Sequence, residues 1–105
     1  VTLSDGSVRN GYTVKILNMK RETRTYRLAP AGIEGVRMTI IGHAKKPVRD
    51  IRLTVRPDSV STFRVFVYAD RAALEGDANS MRFVVTEEQS QGIMNQITTF
   101  RGPSK

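Results

Sequence analysis

Residues 51–57, "IRLTVRP", send Ile51, Leu53 and Val55 one way and Arg52, Thr54 and Arg56 the other. Strict alternation of apolar and polar residues belongs to a β-strand with one buried face, since side chains repeat every two residues in a strand and every 3.6 in a helix. Pro57 cannot donate to a ladder, so the strand is expected to stop there. The same period returns along the chain, and no segment sustains a helical one.

The opening strand is placed at residues 10–18, with Tyr12, Val14 and Ile16 as an inward row between Asn10 and Asn18. Further strands are expected at 24–28, 36–41, 62–69, 81–85 and 93–100, the last with the weakest pattern. Turn residues separate them. "APAG" (29–32) ends the second strand, "GHAKKP" (42–47) is a loop, 70–80 is a long connection with one helical turn at 70–74, and "RGPSK" is expected to fray. Seven or eight short strands at regular spacing argue for an all-β fold, an antiparallel β-sandwich of about seven strands, fibronectin-like or of another disulfide-free kind. With no cysteine and no tryptophan it is a sandwich without a disulfide.

The 105 residues suffice for a single domain over 1–105. An apolar content of 39% and a charged content of 26% fit a globular module. No run approaches the roughly 20 apolar residues of a membrane helix. The first residue is Val1 and not methionine, which reads as a piece excised from a longer protein. The absence of cysteine excludes thiolate and iron–sulfur ligation inside the segment. A net charge of +7 permits an anionic partner: nucleic acid, a lipid surface or an acidic protein.

Catalytic and metal-binding patterns are missing. His43 stands alone beside Lys45 and Lys46, with no nucleophile elbow to serve. Glu87 and Glu88 are adjacent, so on a strand they point to opposite faces and cannot form a facing pair. Asp70, Glu75 and Asp77 lack a calcium-loop pattern, and Gly32 and Gly35 lack that of a phosphate loop. Met19, Met38, Met81 and Met94 have no paired spacing for a soft metal, and Met38 and Met81 fall on core positions.

The cations are more telling. Lys15, Arg27, Arg37, Arg52, Arg64 and Arg82 all sit mid-strand on the outward side, and Phe66 and Tyr68 point outward beside Arg64. Lys15, Arg52, Arg64, Phe66 and Tyr68 are therefore the candidate partner-facing residues, against the plainer reading of a solvated face. Asn10 and Asn18 fit ligand binding less well than closure of strand ends, because no other polar cluster converges with them.

The run "LSDGSVRNGYTVKILNMKRETRTYRL" (3–28) resembles the start of the C-terminal immunoglobulin-like domain of the FixG/CcoG family, the cytochrome oxidase accessory proteins. Asp5-Gly6, Arg9-Asn10, Tyr12-Thr13, Lys15 and Asn18 fit the family pattern, and Tyr26 takes the aromatic position of the next strand. "RVFVYAD" (64–70), "MRFVV" (81–85) and "TTFRGP" (98–103) are similar to its later strands. Asn10, Tyr12, Asn18 and Tyr26 thus serve as a structural signature. The resemblance implies a parent in the bacterial inner membrane that binds [4Fe-4S] clusters outside this segment. Such a parent serves assembly of cbb-type cytochrome c oxidase, in copper reduction or delivery, and is linked to nitrogen fixation. This domain is then expected on the periplasmic side, with no catalytic residue, cofactor or metal of its own. Its expected partners are the membrane and ferredoxin regions of its parent, oxidase-assembly or copper-handling membrane proteins, and anionic lipid headgroups. A free-standing basic sandwich binding nucleic acid is the alternative. A carbohydrate-binding module is weaker still, without a tryptophan for sugar stacking.

Overall fold

The computed structural model describes residues 2–102. Eight strands run in order: β1 (Ser7–Asn18), β2 (Arg24–Ala31), β3 (Arg37–Ile40), β4 (Ala44–Val48), β5 (Ile51–Val55), β6 (Ser59–Asp70), β7 (Ala78–Glu87) and β8 (Ile93–Arg101). They form two four-stranded antiparallel sheets, ordered β1-β6-β3-β4 and β5-β2-β7-β8. Only β3–β4 and β7–β8 are chain neighbours that also pair; every other connection crosses between the sheets. The two layers are thereby tied by the chain itself, as in an Ig-like sandwich.

The alternation read from the sequence sets the inner faces. Phe63, Val65, Val67 and Ala69 of β6 are buried, and so are Leu53 and Val55 of β5, with Ile51 half-buried. Val14 and Ile16 of β1 join them, as do Leu28, Met38, Met81, Val85 and Phe100. Each Val, Leu, Ile, Phe or Met among them contributes about 1.5–3 kcal/mol when fully buried.

Three expectations are corrected. Residues 42–47 are not all loop: Ala44–Val48 is an edge strand, hidden by "KKP", with Ala44 and Val48 half-buried and Lys45, Lys46 and Pro47 exposed. The second strand does not end at Leu28 but continues through Pro30 to Ala31. Pairing with β5 stops at Leu28, so Pro30 has β7 on one side only and its missing N–H costs no ladder bond. The 70–80 connection is shorter than expected. Beyond a 3₁₀ turn at Arg71–Ala73, β7 already begins at Ala78, where Asn79 is buried like the residues of the inner row. Of the closing "RGPSK", Arg101 ends β8, and Pro103, Ser104 and Lys105 lie outside the described residues.

Candidate functional site

The outer face of the β1-β6-β3-β4 sheet carries three of the six outward cations, Lys15, Arg37 and Arg64, while Arg27, Arg52 and Arg82 belong to the other sheet. In the pairing of β1 with β6, Arg9 stands opposite Tyr68, Gly11 opposite Phe66, Thr13 opposite Arg64 and Lys15 opposite Thr62. On the other side of β6, Arg37 pairs with Tyr68 and Thr39 with Phe66. The face is thus a cationic field around two aromatic rings.

Its centre is organised. The Phe66 ring lies over Gly11, where a Cβ would come within 3.4 Å of it. A glycine inside a strand marks such a close approach. The Arg9 guanidinium sits 4.8 Å from the Phe66 ring centroid, a cation–π contact. The Tyr68 hydroxyl is 3.3 Å from Thr39 Oγ1. Arg37 donates to Asp70 at 3.2 Å and to the Gly35 carbonyl at 3.2 Å. Asp5, held below the usual carboxylate range by hydrogen bonds from Ser7, also feels the Arg37 charge. Among the described residues no carboxylate pairs with Lys15 or Arg64, and both side chains are exposed.

The five partner-facing candidates are not all brought together. Lys15, Arg64, Phe66 and Tyr68 share this face, whereas Arg52 stands on the outer face of the other sheet. There Glu88 accepts two hydrogen bonds from Arg52, both 2.8 Å, and lies 3.8 Å from Arg27, which is directly opposite Arg52. Glu88 offsets the repulsion between those two guanidinium groups. Glu87, the last residue of β7, turns away from Glu88, which opens the turn that follows, and bonds Arg24 at 2.9 Å. Because Phe66 already carries Arg9, less of its ring is open to a stacked base than the sequence allowed.

The signature residues are structural in placement. Asn18 is fully buried: its amide donates to the carbonyls of Glu22, Val55 and Arg56 at 2.9–3.1 Å and accepts from Lys20 N–H at 2.9 Å. It closes the β1–β2 turn onto the end of β5. Asn10 is not at a strand end. It lies within β1, where its amide both donates to the Arg101 carbonyl (2.9 Å) and accepts from the Arg101 N–H (3.1 Å). Tyr12 packs edge-on against Phe83, and its hydroxyl donates to the Thr99 carbonyl at 2.8 Å. Gln96 returns the contact by donating to the Lys15 carbonyl at 3.3 Å. Side chains thus clasp the edges of β1 and β8 across the sandwich. Tyr26 is buried on β2, its phenol pushed up by burial and then by Glu87, against the pull of Arg24.

Two features escaped the sequence. The role of Gly11 beneath Phe66 was signalled only by a glycine in mid-strand. An apolar groove of about 280 Å³ also opens where β1 ends and β8 begins, lined by Leu17, Met19, Tyr26, Val85, Ile93 and Met94, with Lys20 and Glu87. The methionines divide accordingly, Met38 and Met81 in the core and Met19 and Met94 in this groove. His43 is exposed and its ring packs edge-on against Phe63 at 5.4 Å. Among the described residues no cluster of three or more His, Cys, Asp or Glu side chains could hold a metal ion.

These features define a class: an immunoglobulin-like β-sandwich without cysteine, whose distinctive surface is cationic and aromatic. Residues 1–103 match the family described as "IG-like fold at C-terminal of FixG, putative oxidoreductase", and the chain belongs to that family. It is 30% identical over 104 residues to protein RdxB of Cereibacter sphaeroides, covering 97% of this chain and 21% of RdxB. It is 46% identical over 67 residues to the nitrogen fixation protein FixG of Rhizobium meliloti, covering 64% of this chain and 13% of FixG. The chain therefore spans about a fifth or less of the length of these curated relatives. A crystal structure of a FixG-related protein from Vibrio parahaemolyticus shares the fold, with a TM-score of 0.77 at 22% identity over 92% of this chain and 81% of that one.

Proposed function

We propose that this chain is the non-catalytic interaction module of a FixG-like, membrane-bound iron–sulfur protein that serves assembly of cbb-type cytochrome c oxidase. The module sits on the periplasmic side of the inner membrane and rests against anionic surface through the outer face of the β1-β6-β3-β4 sheet. The observation that carries the docking role is the composition of that face: Lys15 and Arg64 with no carboxylate paired to them among the described residues, beside Arg9 stacked on Phe66. Family membership over residues 1–103 supports the attachment to a FixG-like parent. The clusters belong to that parent, since their cysteine ligands are absent from this segment. Each cation near an anionic leaflet contributes about 1 kcal/mol, an attraction that vanishes beyond a Debye length.

Vesicle co-sedimentation tests the docking face. The chain should pellet with phosphatidylglycerol-containing vesicles at low salt and stay in solution with purely zwitterionic ones. The double variant Lys15→Glu, Arg64→Glu should bind the anionic vesicles at least about tenfold more weakly. Equal binding to both vesicle types, or an unaffected double variant, overturns the docking face. The gene upstream of Val1 tests the attachment: cysteine cluster motifs and membrane helices are expected there, and a start codon without either overturns it.

A further inference from the structure

Strands β1, β4, β5 and β8 end the two sheets, so one edge of each has no strand of its own sheet beside it. Three carry the usual protection against unwanted pairing. On β1 stand Arg9 and Lys15, β4 is largely Lys45-Lys46-Pro47, and β5 carries Arg52 and runs into Arg56-Pro57. The fourth does not. From Ile93 to Phe100, "IMNQITTF", β8 has no charged residue and no proline. Ile93 and Ile97 are nevertheless 63% and 79% exposed.

Hydrogen bonding fixes which backbone groups of β8 remain open. Gly102 N–H bonds the Asp77 carbonyl and Gly92 accepts from Glu87 N–H, so the even-numbered residues turn toward β7. The odd-numbered ones turn away. At the far end they are used, Thr99 and Arg101 being held by Tyr12 and Asn10. At Ile93, Asn95 and Ile97 the outward N–H and carbonyl groups have no partner among the described residues.

We propose that this open edge, Ile93–Ile97, pairs antiparallel with the same edge of a second copy of the chain. The register follows from self-complementarity. With Asn95 on the two-fold axis, Asn95 meets Asn95 and Ile93 of each copy meets Ile97 of the other. These are the residues whose backbone groups face outward, so each opposed pair exchanges both of its hydrogen bonds. On the outer surface the pairing sets isoleucine beside isoleucine, a favourable cross-strand pair, and opposes no two like charges. The lack of charge on β8 is what lets two molecules of net charge +7 approach there and at none of the other edges. The contact is one strand wide, so the dimer is weak and concentration-dependent.

Sedimentation velocity over a concentration series of the 105-residue chain, in about 0.3 M NaCl to screen the net charge, should show reversible dimerisation. Asn95→Pro removes an N–H that no bond within the fold uses, and Ile97→Lys sets an ammonium beside the partner's Ile93 position. Each should raise the dissociation constant about tenfold or more while leaving the melting curve intact. Should Asn95→Pro fail to fold, Ile97→Lys alone decides. Independently, Asn95→Cys, the chain's only thiol, should cross-link to itself on mild oxidation faster than Thr54→Cys, exposed on the opposite edge of the same sheet. A chain that stays monomeric up to about 1 mM, a dimer indifferent to both variants, or equal cross-linking at the two cysteines overturns the proposal.

Discussion

Asn18 holds three backbone carbonyls and one N–H, from the β1–β2 turn and from the end of β5, with a single uncharged side chain. Buried polar groups left without partners cost about 1–3 kcal/mol. Asn18→Ala strands several such groups at once, so it should lower stability by about 2 kcal/mol or more, read as a fall in denaturation midpoint without a change in m-value. The position was legible in the sequence as an amide where an inward row of apolar residues meets a turn. Asn10 looked equivalent and is not. Sequence spacing shows that an amide faces inward, but not which strand of the other sheet passes beneath it. Its pairing with Arg101 lies 91 residues away in the chain.

At the scale of elements, alternation located the strands that bury one face and failed where a strand buries almost nothing. Strand β4, dominated by two lysines and a proline, reads as loop because edge protection erases the pattern that marks a strand. Strand β8 read weakly for the opposite reason: both of its faces are partly exposed, and only the far end of its edge, at Thr99 and Arg101, is held by side chains from β1. That clasp has a titratable member. Burial pushes the Tyr12 phenol from 10.0 up to about 12. The unfolded chain would ionise it near the ordinary value, so its contribution is whole below pH 10 and is lost as pH rises from 10 to 12. Allowing for the partial exposure of the ring, the loss is about 1–2 kcal/mol. Tyr12→Phe should be less stable than the parent chain at pH 8, having lost the bond to Thr99, yet show a shallower decline between pH 10 and 12. Tyr26, raised in the same direction, accounts for the slope that remains. Chemical denaturation at several pH values checks the crossing of the two curves.

For the whole molecule, 17 basic and 10 acidic side chains give a net charge of +7 on a body about 49 × 23 × 17 Å. Most charges therefore lie within a few Debye lengths of one another at low salt. Added salt weakens attraction and repulsion alike, with opposite consequences for stability. Exposed ion pairs such as Arg37–Asp70 and Arg52–Glu88 weaken, but each is worth only about 0–1 kcal/mol. Repulsion among the surplus cations weakens too, and it acts over the whole surface, including Lys15 and Arg64, which no carboxylate offsets among the described residues. Repulsion outweighs the ion pairs, so the melting temperature should rise as NaCl goes from about 20 mM to about 0.5 M. Arg64→Glu should raise it at low salt, and that gain should shrink at high salt. A melting temperature that falls with NaCl would mean that the few ion pairs outweigh the surplus charge, and the cationic face would then be a solvated surface under no electrostatic strain. A rise means that the surplus cations repel one another across the surface, and contact of the proposed docking face with an anionic surface would relieve part of that repulsion.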